Sequence, residues 1–206
     1  MKRQRITREQ SRDQTRQRLC ESAQVAFMKK GFTATSVEGI AKAAGYTRGA
    51  FYSNFRSKPE LFLELLRRDH ETMQAGLCDI FEEGATREEM EERVLEYYSN
   101  LYRDSKCFLL WVEAKLLAAR DGNFRVLFNA FLREKLEQLS AYIREFSARA
   151  GTPLPMQAEM LAMGLMGLLD GVRFFHVVDP LRVTGQIAES VLSRFFAQAV
   201  FGRKVG

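Results

Sequence analysis

A short stretch near the N-terminus carries the side chains best suited to contact a nucleic acid. Hydroxyl, amide and cationic groups alternate there with glycine, alanine and aromatic residues. Such groups donate hydrogen bonds to phosphate oxygens and reach base edges in a groove of the duplex. The candidate contact residues are Arg12, Thr35, Ser36, Thr47, Arg48, Gly49, Tyr52, Ser53, Asn54 and Lys58.

The spacing within this set predicts two roles. We expect Thr47, Tyr52 and Lys58 to contact the phosphate backbone, and Arg48 and Asn54 to lie nearer to the base edges. A surface helix of an all-α domain would show the same pattern without any contact to DNA.

Two short helices are predicted to position these residues. An apolar stripe at Val37, Ile40, Ala41 and Ala44 has the helical i, i+3, i+4, i+7 spacing. Thr35 and Glu38 fit a capping box at the start of this helix.

The turn between the two helices is also predicted. Gly45 can adopt the left-handed conformation that ends the first helix, and Thr47 can cap a second helix over Arg48–Phe55. About three residues therefore separate the helices, which is helix-turn-helix spacing. A third helix is predicted to start at Ser57, where Ser57 and Glu60 match another capping box.

The order of these motifs resembles the TetR/AcrR family of bacterial transcriptional regulators. The resemblance covers about Thr15 to Leu66 and needs no insertion. Asn54 is a departure, since many relatives carry histidine there. The stretches that carry the resemblance are Gly31–Ser36, Ile40–Gly45, Gly49–Phe55 and Ser57–Leu61.

Charge is distributed unevenly along the chain. Residues 1–56 contain 12 Lys and Arg against 4 Asp and Glu, whereas residues 57–206 contain 19 against 22. A basic module joined to a weakly acidic one is the charge distribution expected of a DNA-binding domain attached to a regulatory domain. We therefore expect a DNA-binding domain at 1–56 and a helical regulatory domain at 57–206.

Residues 1–11 are polar and basic, and we expect them to be disordered without DNA. Such an arm can lie along phosphates or in a minor groove, or it can be a solvated tail.

The remaining chain predicts an all-α protein of about nine helices. The first runs from Arg12 to Lys30 and ends at Gly31. A long linking helix follows from Ser57 to about Glu83. Five more helices are expected at Thr86 to about Asp104, Lys106 to about Arg120, Asn123–Ala150, Met156–Val178 and Pro180–Phe201. Thr86 and Glu89 fit a capping box at the start of the first of these, and Asp179 can cap the last.

Several function classes are disfavoured. The two histidines, and the lack of GxSxG, HExxH and glycine-rich phosphate motifs, argue against an enzyme. The three cysteines lack zinc or disulfide spacing, so we expect no metal, no cofactor and a reducing cytoplasm. No apolar run is expected to reach the roughly 18 residues of a membrane span.

The C-terminal two thirds are rich in aromatic residues and methionine. Most of these side chains must form core, but the resemblance implies that this region encloses a pocket for a small apolar or aromatic inducer. Glu113, Arg173 and His176 are candidate polar groups within it. The full candidate set is Phe108, Trp111, Glu113, Phe128, Phe131, Met163, Arg173, Phe174 and His176.

The last two helices suggest self-association. Gly164, Gly167 and Gly171 form a smooth stripe that another helix can approach closely. This stripe could pack within one chain, whereas the resemblance implies a homodimer formed through both C-terminal helices.

These observations together predict a dimeric repressor that binds a near-palindromic operator and is released by a small molecule. A DNA-binding regulator or nucleoid factor without an inducer is the alternative. A ligand-carrying or enzyme module with a basic end is the alternative from another class.

Overall fold

The computed structural model describes residues 7–78, 86–103 and 107–201, and within these ranges the chain is all-α. The predicted fold class is confirmed. The nine helices of the described ranges are α1 Arg8–Ala34, α2 Val37–Ala43, α3 Arg48–Tyr52, α4 Lys58–Cys78, α5 Arg87–Asn100, α6 Phe108–Arg120, α7 Gly122–Ala150, α8 Ala158–Val178 and α9 Gly185–Phe201.

Helices pack into two units. One unit takes the chain up to His70 together with Leu109–Phe128, and the other takes Glu71–Phe108 together with the chain from Asn129 onwards. The divisions fall within α4, at the start of α6 and within α7. This packing division does not test the domain boundary predicted between residues 56 and 57, which stays a prediction.

The first unit has an aromatic core. Phe62 stacks on Phe32 with ring centroids 4.8 Å apart and on Phe124 at 6.0 Å, while Phe27 meets its edge at 5.2 Å. Large rings of this kind bury much apolar area and hold defined relative orientations. Phe51 and other fully buried side chains extend this core under α2 and α3.

The second unit is built around α9, which packs against α5 and α8. Tyr98 of α5 lies 4.7 Å from the ring of Phe196 of α9, and its hydroxyl donates to the carbonyl of Leu165 of α8. Burial raises the pKa of this phenol. A tyrosine with a satisfied hydroxyl therefore ties the three helices together.

The caps of α1, α2 and α4 differ from prediction. α1 begins at Arg8, because Thr7 and Gln10 form a capping box, so residues 8–11 are helical; the rest of the predicted arm, residues 1–6, lies outside the described residues. α2 is capped by Ser36, not Thr35, because the last turn of α1 continues to Ala34. At Ser57 the box is half formed: Ser57 accepts from the Glu60 amide, while the Glu60 carboxylate accepts from Arg56.

Two further boundaries also differ. α3 ends at Tyr52 instead of Phe55. α9 starts at Gly185, not Pro180, because Asp179 accepts from the Arg182 amide and closes a separate turn. By contrast, the reciprocal cap predicted between Thr86 and Glu89 is confirmed at the start of α5.

One helix is more apolar than predicted. α8 is long and apolar enough to cross a membrane by length and composition, which corrects the expectation that no run approaches a span. A core helix of a soluble protein meets the same criteria. One face of α8 does pack in the core of the second unit, through Leu161, Ala162, Leu165, Leu169 and Val172.

Candidate nucleic-acid interface

The turn between α2 and α3 has the geometry that the sequence predicts. Ser36 caps α2 by accepting from the Gly39 amide at 3.0 Å. Gly45 adopts a φ of 80°, and the next amide, Tyr46, donates to Ala41 at 2.8 Å. This is a left-handed helix end of the kind that glycine favours. Thr47 then caps α3 through the Ala50 amide at 3.3 Å.

α3 separates its buried and exposed sides sharply. Phe51 is fully buried, whereas Arg48, Gly49 and Ser53 are exposed and Tyr52 is 47% exposed. The helix is only five residues long. Its outer side therefore consists of polar groups and a phenol that contribute little to the core.

Arg48 is held on this outer side by two neighbours. Its guanidinium lies 2.9 Å from the Glu38 carboxylate and 5.5 Å from the ring centre of Tyr52. The Tyr52 hydroxyl first, and Glu38 second, raise the pKa of Arg48 above its ordinary value. The cation is thus oriented along the surface, where a phosphate could replace Glu38 as its partner.

Asn54 is less available than predicted for reading bases. It is half-buried, and its Nδ2 donates to the Ala50 carbonyl at 2.8 Å. Ser53, which is exposed, donates its hydroxyl to the Gly49 carbonyl at 3.0 Å. Both side chains extend the hydrogen bonding of α3 past its last helical residue, so a base contact by Asn54 would require its amide to reorient.

Two of the predicted contact residues face inward. Thr35 is buried, and its hydroxyl donates to the Gly31 carbonyl at 2.8 Å. The Lys58 ammonium donates to the carbonyls of Phe32 and Thr35, both at 2.7 Å, and burial lowers its pKa. In this structure both groups hold the end of α1. Ser36 and Arg12 are exposed.

Arg16 supports the end of α3, although it is not in the set of predicted contact residues. Its guanidinium donates to the Asn54 carbonyl at 2.7 Å, lies 3.4 Å from Glu64 of α4 and stacks 4.3 Å from the Phe55 ring. It therefore ties α1 to the end of α3. The sequence places Arg12 and Arg16 before the apolar stripe of α1, where a phosphate contact is plausible for both.

The predicted ligand residues are spread over the two packing units. Trp111, Glu113 and Phe128 belong to the first unit. Trp111 is buried and donates to Asp69 at 2.6 Å, while the Glu113 carboxylate accepts from the Phe32 amide at 2.8 Å. Phe128 is buried and stacks on Phe124. Glu113 is therefore already engaged by the backbone of α1.

The other predicted ligand residues belong to the second unit. Phe108 and Phe131 are buried, and the buried Arg173 guanidinium lies 5.5 Å from the Phe108 ring. His176 Nδ1 lies 2.7 Å from the Val183 carbonyl. Met163 and Phe174 are exposed on the outer side of α8, so they do not line the interior as predicted.

One groove in the described part of the second unit includes a predicted ligand residue. Met163 lines a groove of about 360 Å³ between α7 and α8, together with Arg133 and Arg144. A wider groove between α5 and α9 is lined mainly by acidic and polar groups, among them Glu88, Glu92 and Glu96.

Comparison with known sequences identifies the N-terminal part of the chain. The profile of the family described as bacterial regulatory proteins, tetR family, matches residues 19–65. The HTH-type transcriptional regulator TtgR of Pseudomonas putida is 44% identical over 68 residues, which are 33% of this chain and 32% of TtgR. The match thus spans about a third of the length of that relative.

A second relative matches more of the chain at lower identity. The HTH-type transcriptional activator FasR of Mycolicibacterium smegmatis is 23% identical over 166 residues, covering 80% of this chain and 73% of FasR.

Solved structures share the whole fold. A TetR-family regulator from Rhodococcus sp. superposes with a TM-score of 0.76 at 16% identity, covering 91% of this chain and 99% of its own. The SmeT–triclosan complex superposes with a TM-score of 0.69 at 21% identity, covering 90% and 91%. At these identities the likeness establishes the fold.

Proposed function

We propose that this chain, whose residues 19–65 belong to the TetR family of bacterial regulatory proteins, is a ligand-responsive transcriptional repressor. It binds a near-palindromic operator as a homodimer in the cytoplasm, and a small apolar or aromatic molecule releases it.

The outward side of α3 carries this proposal. Arg48 and Tyr52 are exposed side by side on a short helix, and Thr47 and Gly49 leave room for the backbone to approach a duplex. In helix-turn-helix proteins the second helix enters the major groove and the residues at its start reach base edges. Arg48, one residue after the cap, is our candidate for that role.

The exposed face of α8 and α9 supports a dimer. Met163, Phe174 and Phe175 of α8 and Phe195 of α9 are exposed, and a side chain added at Gly164, Gly167 or Gly171 would meet nothing within 4 Å. An exposed apolar face with an open glycine stripe suits close packing against a second copy. Two reading helices would then be presented roughly 34–36 Å apart.

An apolar inducer is supported by the composition of the second unit and by one structural neighbour, SmeT, which was solved with triclosan. Phe108, Phe131 and Arg173 remain candidate ligand residues, because all three are buried there. Trp111, Phe128 and His176 also stay in the proposed set. Glu113 accepts from the Phe32 amide, and Met163 and Phe174 are exposed, so these three are not proposed to line an enclosed cavity.

Selection of bound DNA tests the proposal. The purified protein is mixed with genomic fragments, and the retained fragments are sequenced. A shared near-palindromic sequence is expected, since a two-fold dimer reads both half-sites. Retained fragments with no common sequence would leave the protein as a nucleoid factor, and no retention at all would remove DNA binding.

Release by ligand is tested on the complex so obtained. A panel of aromatic and apolar compounds is added to the protein–operator complex, and dissociation is followed by fluorescence anisotropy of labelled DNA. A hundredfold loss of operator affinity requires about 2.7 kcal/mol of differential ligand affinity between the two protein shapes. Release by none of these compounds, but by a metal ion or polar metabolite, would contradict an apolar inducer.

A further inference from the structure

The turn that joins α1 to α2 is held from two sides by charged groups. On one side the Glu113 carboxylate accepts the Phe32 amide at 2.8 Å. On the other side the Lys58 ammonium donates to the carbonyls of Phe32 and Thr35. These are charge-assisted hydrogen bonds to backbone, which are stronger than neutral ones. We call Gly31–Ser36 the clamped turn.

Gly31 makes the carboxylate contact possible. It interrupts α1 with a φ of 78°, a conformation that other residues rarely adopt. A side chain added here would lie 2.6 Å from Glu113 Oε1. The turn therefore has the backbone shape and the space that the Glu113 carboxylate needs.

The clamped turn leads directly into α2 and α3, the helix-turn-helix that we call the reading unit. Its last residue, Ser36, is the cap of α2. α2 packs on α1 and on α3. A displacement of the turn would therefore move α2, and α3 with it.

Glu113 is carried by a segment distant in sequence. It lies 81 residues after Phe32 on α6, and the neighbouring Trp111 on the same helix donates to Asp69 of α4. Within the first unit, α6 is thus fastened to both α1 and α4. The turn before the reading unit is therefore stabilised by a residue of α6, which lies outside residues 1–56.

We propose that Glu113 is a positioning residue for operator binding, acting through the clamped turn and without touching DNA. This inference rests on the proposed function. The α1 to α2 junction is held in register by a carboxylate from the segment that follows α5, so the orientation of α3 depends on α6.

The direction in which operator affinity changes on removal of the Glu113 carboxylate distinguishes a positioning role from general electrostatic repulsion. Removal of a negative charge strengthens the attraction of a protein to the polyanionic duplex, irrespective of sequence. Loss of positioning instead weakens operator binding and leaves the phosphate count unchanged. Only the positioning role predicts weaker operator binding from the removal of a carboxylate.

The experiment uses full-length variants and the operator selected above. Glu113→Ala and Glu113→Gln are compared with Glu92→Ala and Glu92→Gln, because Glu92 is an exposed carboxylate on α5. The measured quantities are operator Kd, Kd for a non-operator duplex of equal length, the salt dependence of each, and hydrogen exchange of the peptide that contains Phe32.

Glu113→Ala is expected to raise the operator Kd about tenfold, a loss of about 1.4 kcal/mol. Binding to the non-operator duplex should stay equal or tighten, and the salt slope should not change. The Phe32 amide should exchange faster, since its acceptor is gone. Glu113→Gln retains an acceptor oxygen and should recover much of the affinity, while both Glu92 variants should not weaken binding.

Two results would overturn the inference. One is a folded Glu113→Ala protein with unchanged operator Kd; the other is a Glu113→Gln protein that loses as much affinity as Glu113→Ala. If Glu113→Ala does not fold, unchanged Phe32 exchange and operator Kd in Glu113→Gln support the acceptor role, and altered values of both contradict it. Failure of the wild-type protein to retain any DNA is a different outcome, which removes the proposed function itself.

Discussion

Two exposed surfaces of this protein differ in the chemistry they present. The outer side of α3 carries a phenol, hydroxyls and a cation around a glycine, and the helix beneath it is five residues long. The outer side of α8 carries methionine, phenylalanine and three glycines along a helix of 21 residues. The first surface suits a charged, hydrated partner, and the second suits an apolar one that excludes water.

The difference shows how surfaces can be assigned to classes of partner before the partner is known. Polar groups on α3 make local hydrogen bonds, so they can stay exposed to water without DNA. The apolar side chains of α8 have no such compensation, and their exposure in one chain is the reason to expect a second copy.

The largest effect is expected from filling the glycine stripe. Gly167→Leu adds a side chain where the single chain leaves open space, so it should not destabilise the monomer and gains helix propensity. It should prevent dimerisation and weaken operator binding at least a hundredfold. Sedimentation velocity at micromolar concentration measures dimerisation, circular dichroism melting measures stability, and fluorescence anisotropy of labelled operator DNA measures binding.

Asn129→Leu is the matched control, because it adds the same side chain at an exposed position of α7. It should remain dimeric. A Gly167→Leu protein that stays dimeric and binds the operator normally would exclude this face as the interface.

A smaller effect on operator binding is expected from a change on the outer side of α3. Tyr52→Ala should weaken operator binding about tenfold, because one phosphate or base contact is lost, a loss of roughly 1–2 kcal/mol. The melting temperature should hardly change, since half of the side chain is exposed. By contrast, Phe51→Ala on the buried side should cost about 3–5 kcal/mol of stability.

Electrophoretic mobility shift and thermal melting of the two variants give the comparison. If Tyr52→Ala destabilises the fold as much as Phe51→Ala does, the outward side of α3 is structural.

Lys58 either contacts a DNA phosphate or stabilises the clamped turn, and the two roles predict different salt dependence. The sequence predicts a phosphate contact, for which Lys58→Ala would reduce the salt slope by about one. With the ammonium held by two carbonyls of the clamped turn, we expect Lys58→Met to weaken operator binding with an unchanged slope. Titrations between 50 and 300 mM salt would decide, and a slope reduced by one would restore the phosphate contact.

The smallest effect is expected from alkylation of the native protein at Cys20, a buried residue of α1. Burial raises the pKa of this thiol to about 11, so at pH 8 only about one thiol in a thousand is ionised. The thiolate fraction grows only as pH rises toward that value. Iodoacetamide should leave Cys20 unmodified in the native protein at pH 8, as measured by peptide mass spectrometry, with the denatured protein as the control. Rapid native modification would contradict this burial.

Features that depend on residues close together in the chain could be predicted from sequence. The turn at Gly45, the cap at Thr47 and the box at Thr86 depend on residues within four positions of each other, and all are confirmed. Thr35 and Ser36 show where local patterns become ambiguous. Two adjacent hydroxyls both fit a cap, and only the extension of α1 beyond Gly31 decides between them.

Contacts between distant residues could not be predicted. Glu113 resembles a ligand group by its position in an apolar helix, but its partner lies 81 residues away. Met163 and Phe174 fit an apolar lining by type, yet helical phase places them outside. Composition identifies which side chains are large and apolar, whereas the packing of helices decides which of them face inward.

The shortness of α3 has a consequence for how operator preference can change over time. Of its five residues only Phe51 is fully buried, and a methyl group added at Gly49 would lie at an ordinary 3.7 Å from the Thr47 hydroxyl oxygen. Substitutions at Arg48, Gly49 and Tyr52 can therefore alter which bases are preferred while the folded state keeps its stability. A duplicated copy of this protein could acquire a new set of target sites through a few such changes, without first passing through an unstable intermediate.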